Sequence, residues 1–87
     1  MSEAPRVTED YMKSRIKSEE FYVWPGTTTT ICMLTLDNGY SVTGESACVC
    51  PENFDEQVGQ TYAYNNAFEK LWPLFGFLLA ENLHRGN

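Results

Sequence analysis

Few side chains in this sequence are equipped for chemistry, and their spacing decides what they can do. Cys48 and Cys50 form a Cys-x-Cys pair that could offer two thiolates to a metal. A zinc site takes four ligands, and only Cys32 and His84 remain to complete one. The pattern therefore predicts small buried thiols where a strand leaves a hairpin, and no metal. Ser46 or Cys48 could serve as a nucleophile with His84 as its base, but such a pair must lie within hydrogen-bond reach. The single histidine falls in a polar tail, Glu81-Asn82-Leu83-His84-Arg85, where fraying is expected. Glu45 and Glu52 bracket the hairpin exit, and a close carboxylate pair does acid–base work only if one member is pushed up by its surroundings. With no second domain to close a pocket over them, they read as surface charge. No catalytic group, cofactor or metal is expected, and the chain is read as a non-enzyme.

Binding chemistry is better represented. Trp24, Tyr22, Tyr62, Tyr64 and Trp72 are large amphipathic rings of the kind that anchor interfaces. Trp72 and Phe68 are expected to cover the core, whereas Trp24 and Tyr64 either cover it or meet a partner. Asn65 and Asn66 fall inside a helical stretch although Asn is a weak helix former. Asn66 is expected either to bond a backbone group of the hairpin or of a second copy, or to line a small-ligand site with Tyr62.

The charge distribution narrows the partner. The net charge is −6, four of the six basic residues (Arg6, Lys13, Arg15, Lys17) lie in the first seventeen positions, and residues 21–69 contain no Lys or Arg. That interval carries Asp37, Glu45, Glu52, Asp55, Glu56 and Glu69. A nucleic-acid backbone needs cationic neighbours, so direct nucleic-acid binding is not expected. A basic protein surface suits the acidic side chains. The expected partner-binding set is Trp24, Asp37, Glu45, Glu52, Asp55, Glu56 and Tyr64, with Tyr62 and Asn66 as the alternative small-ligand set.

These residues must be positioned by one small domain. A chain of 87 residues hides only about 60–65% of its unfolded surface. With 43% hydrophobic and 14% aromatic residues, some apolar surface is left without an intrachain partner, which predicts self-association. No apolar run approaches the ~20 residues that cross a bilayer, and no cleavable leader is evident. A soluble intracellular protein is expected.

Residues 1–7 and 84–87 are expected to fray. Thr8 is a good N-cap, with Glu9 and Asp10 favoured by the helix dipole, and predicts a helix over Glu9–Glu19. Phe21-Tyr22-Val23-Trp24 has the content of a short strand stopped by Pro25-Gly26. Around Asp37-Asn38-Gly39, a two-residue turn would mix apolar and polar side chains on each face of the hairpin. A three-residue loop with a left-handed Gly39 instead pairs Leu36 with Tyr40, Leu34 with Val42 and Cys32 with Gly44. One face then reads Cys32, Leu34, Leu36, Tyr40, Val42. This register is preferred, because a buried face specifies pairing strongly. The other face is mostly polar but holds Ile31 and Met33, a plausible contact surface. Asn53 with Glu56 predicts a capped helix whose apolar stripe runs Phe54, Val58, Tyr62, Phe68, Leu71, Trp72. Gly59 inside it suggests close approach of another backbone, and Gly44 a strand position crossed closely by an aromatic from a helix. Pro73 predicts a break after Trp72, followed by a short helix that folds back on its predecessor.

The run from Thr30 to Cys48, TICMLTLDNGYSVTGESAC, followed by Pro51-Glu52-Asn53-Phe54-Asp55, resembles a family of small tailed-phage and prophage proteins. The family is named after the gene-49 product of an N4-type coliphage and the gene-66 product of a Shigella phage. Asn66-Ala67, Lys70-Leu71-Trp72-Pro73-Leu74 and Gly76-Phe77-Leu78-Leu79 are similar to its closing motif. The resemblance spans about Thr8 to Leu79 and implies a phage protein acting in the host cytoplasm. Relatives carry one or two arginines in the long helix where this chain has Gln60-Thr61-Tyr62-Ala63-Tyr64, and a Glu where it has Phe75. Those departures weaken a phosphate-binding role and make the surface more aromatic.

The expected fold is α+β: an N-terminal helix, a short antiparallel sheet around a central hairpin, and two C-terminal helices broken at Pro73. The expected function is a phage accessory protein that binds a host or phage macromolecule, including inhibition of a host defence or replication component. The alternative is an oligomer that sequesters a small nucleotide-like ligand.

Overall fold

The computed structural model describes residues 6–86. Helix α1 (Glu9–Ser14) leads into strands β1 (Ile16–Val23), β2 (Thr29–Leu36) and β3 (Ser41–Ala47). A 3-10 turn (Pro51–Asn53) and helices α2 (Glu56–Glu69) and α3 (Leu71–His84) complete an α+β chain. The sheet is antiparallel in the order β1-β2-β3. Of the ends expected to fray, residues 1–5 and 87 lie outside the described part, Val7 packs against the core, and His84 closes α3.

The Thr8 side chain accepts from the Tyr11 N–H at 3.1 Å, as an N-cap should. The helix ends after Ser14, however, and residues 16–19, expected to be helical, form the first half of β1. That helix had a thin apolar face, and pairing along β2 from Ile16↔Leu36 to Val23↔Thr30 satisfies far more of its backbone. A bulge at Lys17 absorbs the change of direction. Trp24 lies just past the strand end.

The hairpin adopts the three-residue loop. Gly39 has φ +92°, the Leu36 N–H donates to the Tyr40 carbonyl at 2.8 Å, and Asn38 Oδ1 accepts from the Tyr40 N–H at 3.0 Å. Leu34 faces Val42 and Cys32 faces Gly44. Cys32, Leu34 and Leu36 are buried and Val42 is half-buried, but Tyr40, expected on the buried face, is exposed. Helix α2 covers the sheet only as far as its own end, and the hairpin tip projects beyond it.

Helix α2 begins two residues later than expected. Its cap is Asp55, whose carboxylate accepts from the Gln57 and Val58 N–H groups at 2.9 and 3.2 Å, while Asn53 belongs to the 3-10 turn. The stripe that meets β2 and β3 also differs. Val58 and Tyr62 are exposed, and the helix presents Gly59, Ala63, Ala67 and Phe68 instead. Large side chains on that face would hold the layers apart. A Cβ on Gly44 would overlap the Ala63 carbonyl and the Ala67 backbone, so the helix backbone itself, rather than an aromatic ring, crosses this strand position. Gly59 closes against the Thr30 side chain rather than a backbone, and a Cβ there would lie 2.7 Å from Thr30 Oγ1. Ser46 Oγ donates to the Gly59 carbonyl at 2.7 Å, tying β3 to the start of α2.

The break between the last two helices is at Lys70, not after Trp72. Pro73 lacks the N–H that would bond Glu69, and its ring crowds that carbonyl, so the ladder is interrupted four residues before the proline. Pro73 itself sits in the first turn of α3. Nor does α3 fold back along α2. The radius of gyration is 16.1 Å, against about 12 Å for a compact domain of this length. Only Leu71 and Phe75 of α3 are buried, joining Met12, Cys32, Leu34, Leu36, Ala63, Ala67 and Phe68 in the core, and Trp72, expected to cover that core, is exposed.

Candidate interaction surface

Residues paired across an antiparallel sheet share a face, so the register sorts the side chains. Thr30, Cys32, Leu34 and Leu36 point toward α2 together with Phe21 and Glu19 of β1. The opposite face holds Tyr22, Ile31 and Glu45 in one row and Glu20, Met33 and Thr43 in the next. No described helix covers this second face. Trp24 extends it and meets Tyr22 edge-on, with ring centroids 6.0 Å apart. Trp24 is 57% exposed, Tyr22 53% and Met33 41%. An apolar strip flanked by two carboxylates therefore lies on the open face of the sheet, beside a β3 edge that is already occupied. The outward Glu45 N–H donates to Asn66 Oδ1 at 3.1 Å, and Lys70 Nζ donates to the Thr43 carbonyl. Side chains of the α2 end thus consume hydrogen-bonding groups that an added strand would need.

The residues expected to bind a partner are not brought together. Trp24 and Glu45 share the open face. Asp37 lies at the hairpin tip, separated from the Trp24 end by roughly 23 Å of strand. Its carboxylate accepts two hydrogen bonds at 2.8 Å from Arg15 Nε, and Arg15 also donates to the Tyr11 hydroxyl at 2.8 Å. The guanidinium lies over the rings of Tyr11 and Phe75, and Asp37, with a smaller contribution from Tyr11, holds it above its ordinary pKa. Asp37 is therefore already neutralised within the chain. Glu52 accepts from the Cys50 thiol at 2.9 Å, which keeps its carboxyl below the usual range. Asp55 caps α2 and Glu56 lies in its first turn. Tyr64 is half-buried on the helix side of the sheet, stacked on Phe68 at 5.9 Å. Burial and the nearby Glu19 raise its hydroxyl pKa.

Of the two residues expected for a small ligand, Asn66 spends its carbonyl oxygen on the hairpin backbone. Tyr62 borders a cleft of about 260 Å³ between the β3 exit and α2, lined also by Thr28, Cys48, Asn53, Phe54 and Val58. Cys48 and Cys50 are half-buried rather than buried. The Cys48 thiol donates to the Cys50 carbonyl at 3.0 Å, and the Cys48 N–H donates to Thr28 Oγ1 at 3.2 Å. Among the described residues no group of His, Cys, Asp and Glu is arranged to hold a metal ion, and no helix is long and apolar enough to cross a membrane.

Glu20 is absent from the expected partner-binding set, and Tyr22 figures only among the rings, because the strand expected at Phe21 starts at Ile16. The alternation of Glu20, Tyr22 and Trp24 was the available signal. The Gly59-x3-Ala63-x3-Ala67 spacing was likewise present, as a four-residue period of small side chains.

Neither a curated protein nor a solved structure matches the chain. Residues 7–83, which include every strand and nearly all of the three helices, match a described family. The chain belongs to the phage protein (N4 Gp49/phage Sf6 gene 66) family.

Proposed function

We propose that this phage protein acts without catalysis, by docking the open face of its sheet on a basic surface of a host or phage protein. The observation that carries this reading is the uncovered strip of Trp24, Tyr22, Ile31 and Met33 between Glu20 and Glu45. Aromatic and Met side chains supply contact area at an interface, and carboxylates at its rim steer a basic partner. Inhibition of a host defence or replication component is the consequence expected if that partner surface is functional, with the host cytoplasm as the place of action.

The test is capture of host and phage proteins by the purified chain, followed by binding kinetics on the recovered protein. Trp24→Ala is expected to speed dissociation at least tenfold, and Glu20→Lys with Glu45→Lys to slow association and flatten its salt dependence. A partner indifferent to all three substitutions would overturn the reading.

A second reading, sequestration of a small nucleotide-like molecule, draws on the cleft beneath Tyr62. Its polar rim and the Phe54, Val58 and Tyr62 side chains suit a ring-bearing ligand, although about 260 Å³ is just under the ~300–1,000 Å³ of common small-molecule sites. Asp55 already caps the adjacent helix N-terminus, which disfavours an anionic group there. Ultraviolet-absorbing material released on heating the purified protein, and lost in Tyr62→Ala, is the expected sign.

A further inference from the structure

We propose that helix α3 and the hairpin tip form the face through which two copies of this chain associate. From Leu71 to Ala80 the helix carries ten consecutive uncharged residues, LWPLFGFLLA. A helix that is apolar on every side belongs inside a protein, yet here only Leu71 and Phe75 are buried. Phe77 is 68% exposed, and Trp72, Leu74, Leu78 and Leu83 are exposed as well. Leu74, Phe77 and Leu78 face Tyr40 and Leu36 of the hairpin tip across a groove of about 320 Å³. This is the same Tyr40 that α2 fails to cover.

The occupant follows from area and charge. Taking ~150–250 Å² for a large aromatic side chain and somewhat less for Leu, Leu74, Phe77, Leu78 and Tyr40 leave roughly 400 Å² of apolar surface around the groove, while Trp72 and Leu83 lie on the other side of α3. A patch of that size is as large as a monomer commonly exposes and marks an interaction site, and a standard interface of about 800 Å² from each partner adds a polar rim to such an apolar centre. A second copy brings the same −6 charge, so two copies can approach only where carboxylates do not meet. The ten-residue uncharged run provides such a place. The nearest acid on the tip, Asp37, is paired with Arg15, and Glu81 on α3 with Arg85. An anionic membrane is disfavoured by the same net charge and by the absence of Lys and Arg from this run. A two-fold arrangement in which each α3 covers the other's groove lets one patch serve both copies.

Sedimentation and light scattering of the full chain at tens of micromolar test the proposal. Wild type is expected at twice the 9.9 kDa chain mass. Phe77→Glu is expected to sediment as a single chain with an unchanged far-ultraviolet circular dichroism spectrum. Trp24→Ala, on the open sheet face, should remain paired, which separates this interface from the proposed partner surface. A wild-type chain that runs only at 9.9 kDa, a Phe77→Glu variant that stays paired, or pairing lost in Trp24→Ala would each overturn it. So would a single chain that floats with phosphatidylcholine vesicles, since lipid would then be the occupant. If Phe77→Glu fails to fold, Phe77→Ser serves in its place, with the same mass change expected.

Discussion

Helices α2 and α3 are each fourteen residues long and follow one another with a single residue between them, yet they meet the rest of the molecule by opposite rules. Helix α2 is unremarkable in hydrophobicity and is held by small residues. Gly59, Ala63 and Ala67 bring its backbone down on Gly44 and Thr30, and Asn66, Lys70 and Ser46 lock the contact with hydrogen bonds to or from backbone carbonyls and an N–H. Helix α3 is strongly apolar and mostly uncovered. Hydrophobic content therefore did not decide which helix packs on the sheet. Closeness of approach did, because dispersion contacts and hydrogen bonds accumulate only where backbones come near.

The largest expected effect breaks this contrast directly. Gly44→Ala puts a methyl group into the Ala63 and Ala67 backbone, neither of which can swing aside, and should cost about 3 kcal/mol or more in chemical denaturation. The same change at Gly76, which has nothing within contact distance, should be neutral or stabilise by up to about 1 kcal/mol through helix propensity. Similar losses at both sites would show that the two helices do not pack differently.

A smaller contrast tests the two faces of the sheet. Leu34→Ala on the α2 side removes a fully buried side chain and should cost about 2–4 kcal/mol. Thr43→Ala on the open face should cost less than about 1 kcal/mol. Equal costs in denaturant titration would mean that the open face is covered within the chain.

The smallest effect is a pH dependence from the same buried layer. Burial between β2 and α2, with a lesser contribution from Glu19, pushes the Cys32 thiol from 9.0 up to about 11. The folded state therefore favours the neutral thiol. Its contribution to stability is fully present below pH 9 and is lost as pH rises through about 11. The melting temperature should fall over that interval, and the fall should be shallower in Cys32→Ala. An identical alkaline limb in the variant would assign the loss to tyrosine ionisation instead.

Much of the fold was legible because its signals are local. The Asp37-Asn38-Gly39 loop needs one residue with positive φ, and only Gly39 supplies it cheaply, so the register of β2 and β3 follows from the turn and from alternation. The Thr8 cap is equally local. Expectation and structure part where a local preference competes with a distant contact or with a second local one. Residues 16–19 satisfy a weak helical pattern, but β2 offers them a complete hydrogen-bonding partner. Asn53 and Asp55 can both cap a helix, and the 3-10 turn after Pro51 decides for Asp55. The candidate surface was legible only in part, because Trp24 and Glu45 come together through pairing across three strands.

By itself, then, the sequence determined the α+β class, the hairpin register, the start of α1 and an interruption caused by Pro73. Each depends on backbone conformations and hydrogen bonds among residues a few positions apart. Tertiary structure decided which face of α2 is buried, that Arg15 pairs with Asp37, and that α3 buries only Leu71 and Phe75 and leaves most of its apolar side chains uncovered. Those outcomes depend on how closely two backbones can approach and on pairings between residues more than twenty positions apart, such as Arg15 with Asp37 and Glu45 with Asn66. Neither quantity is encoded in any local pattern.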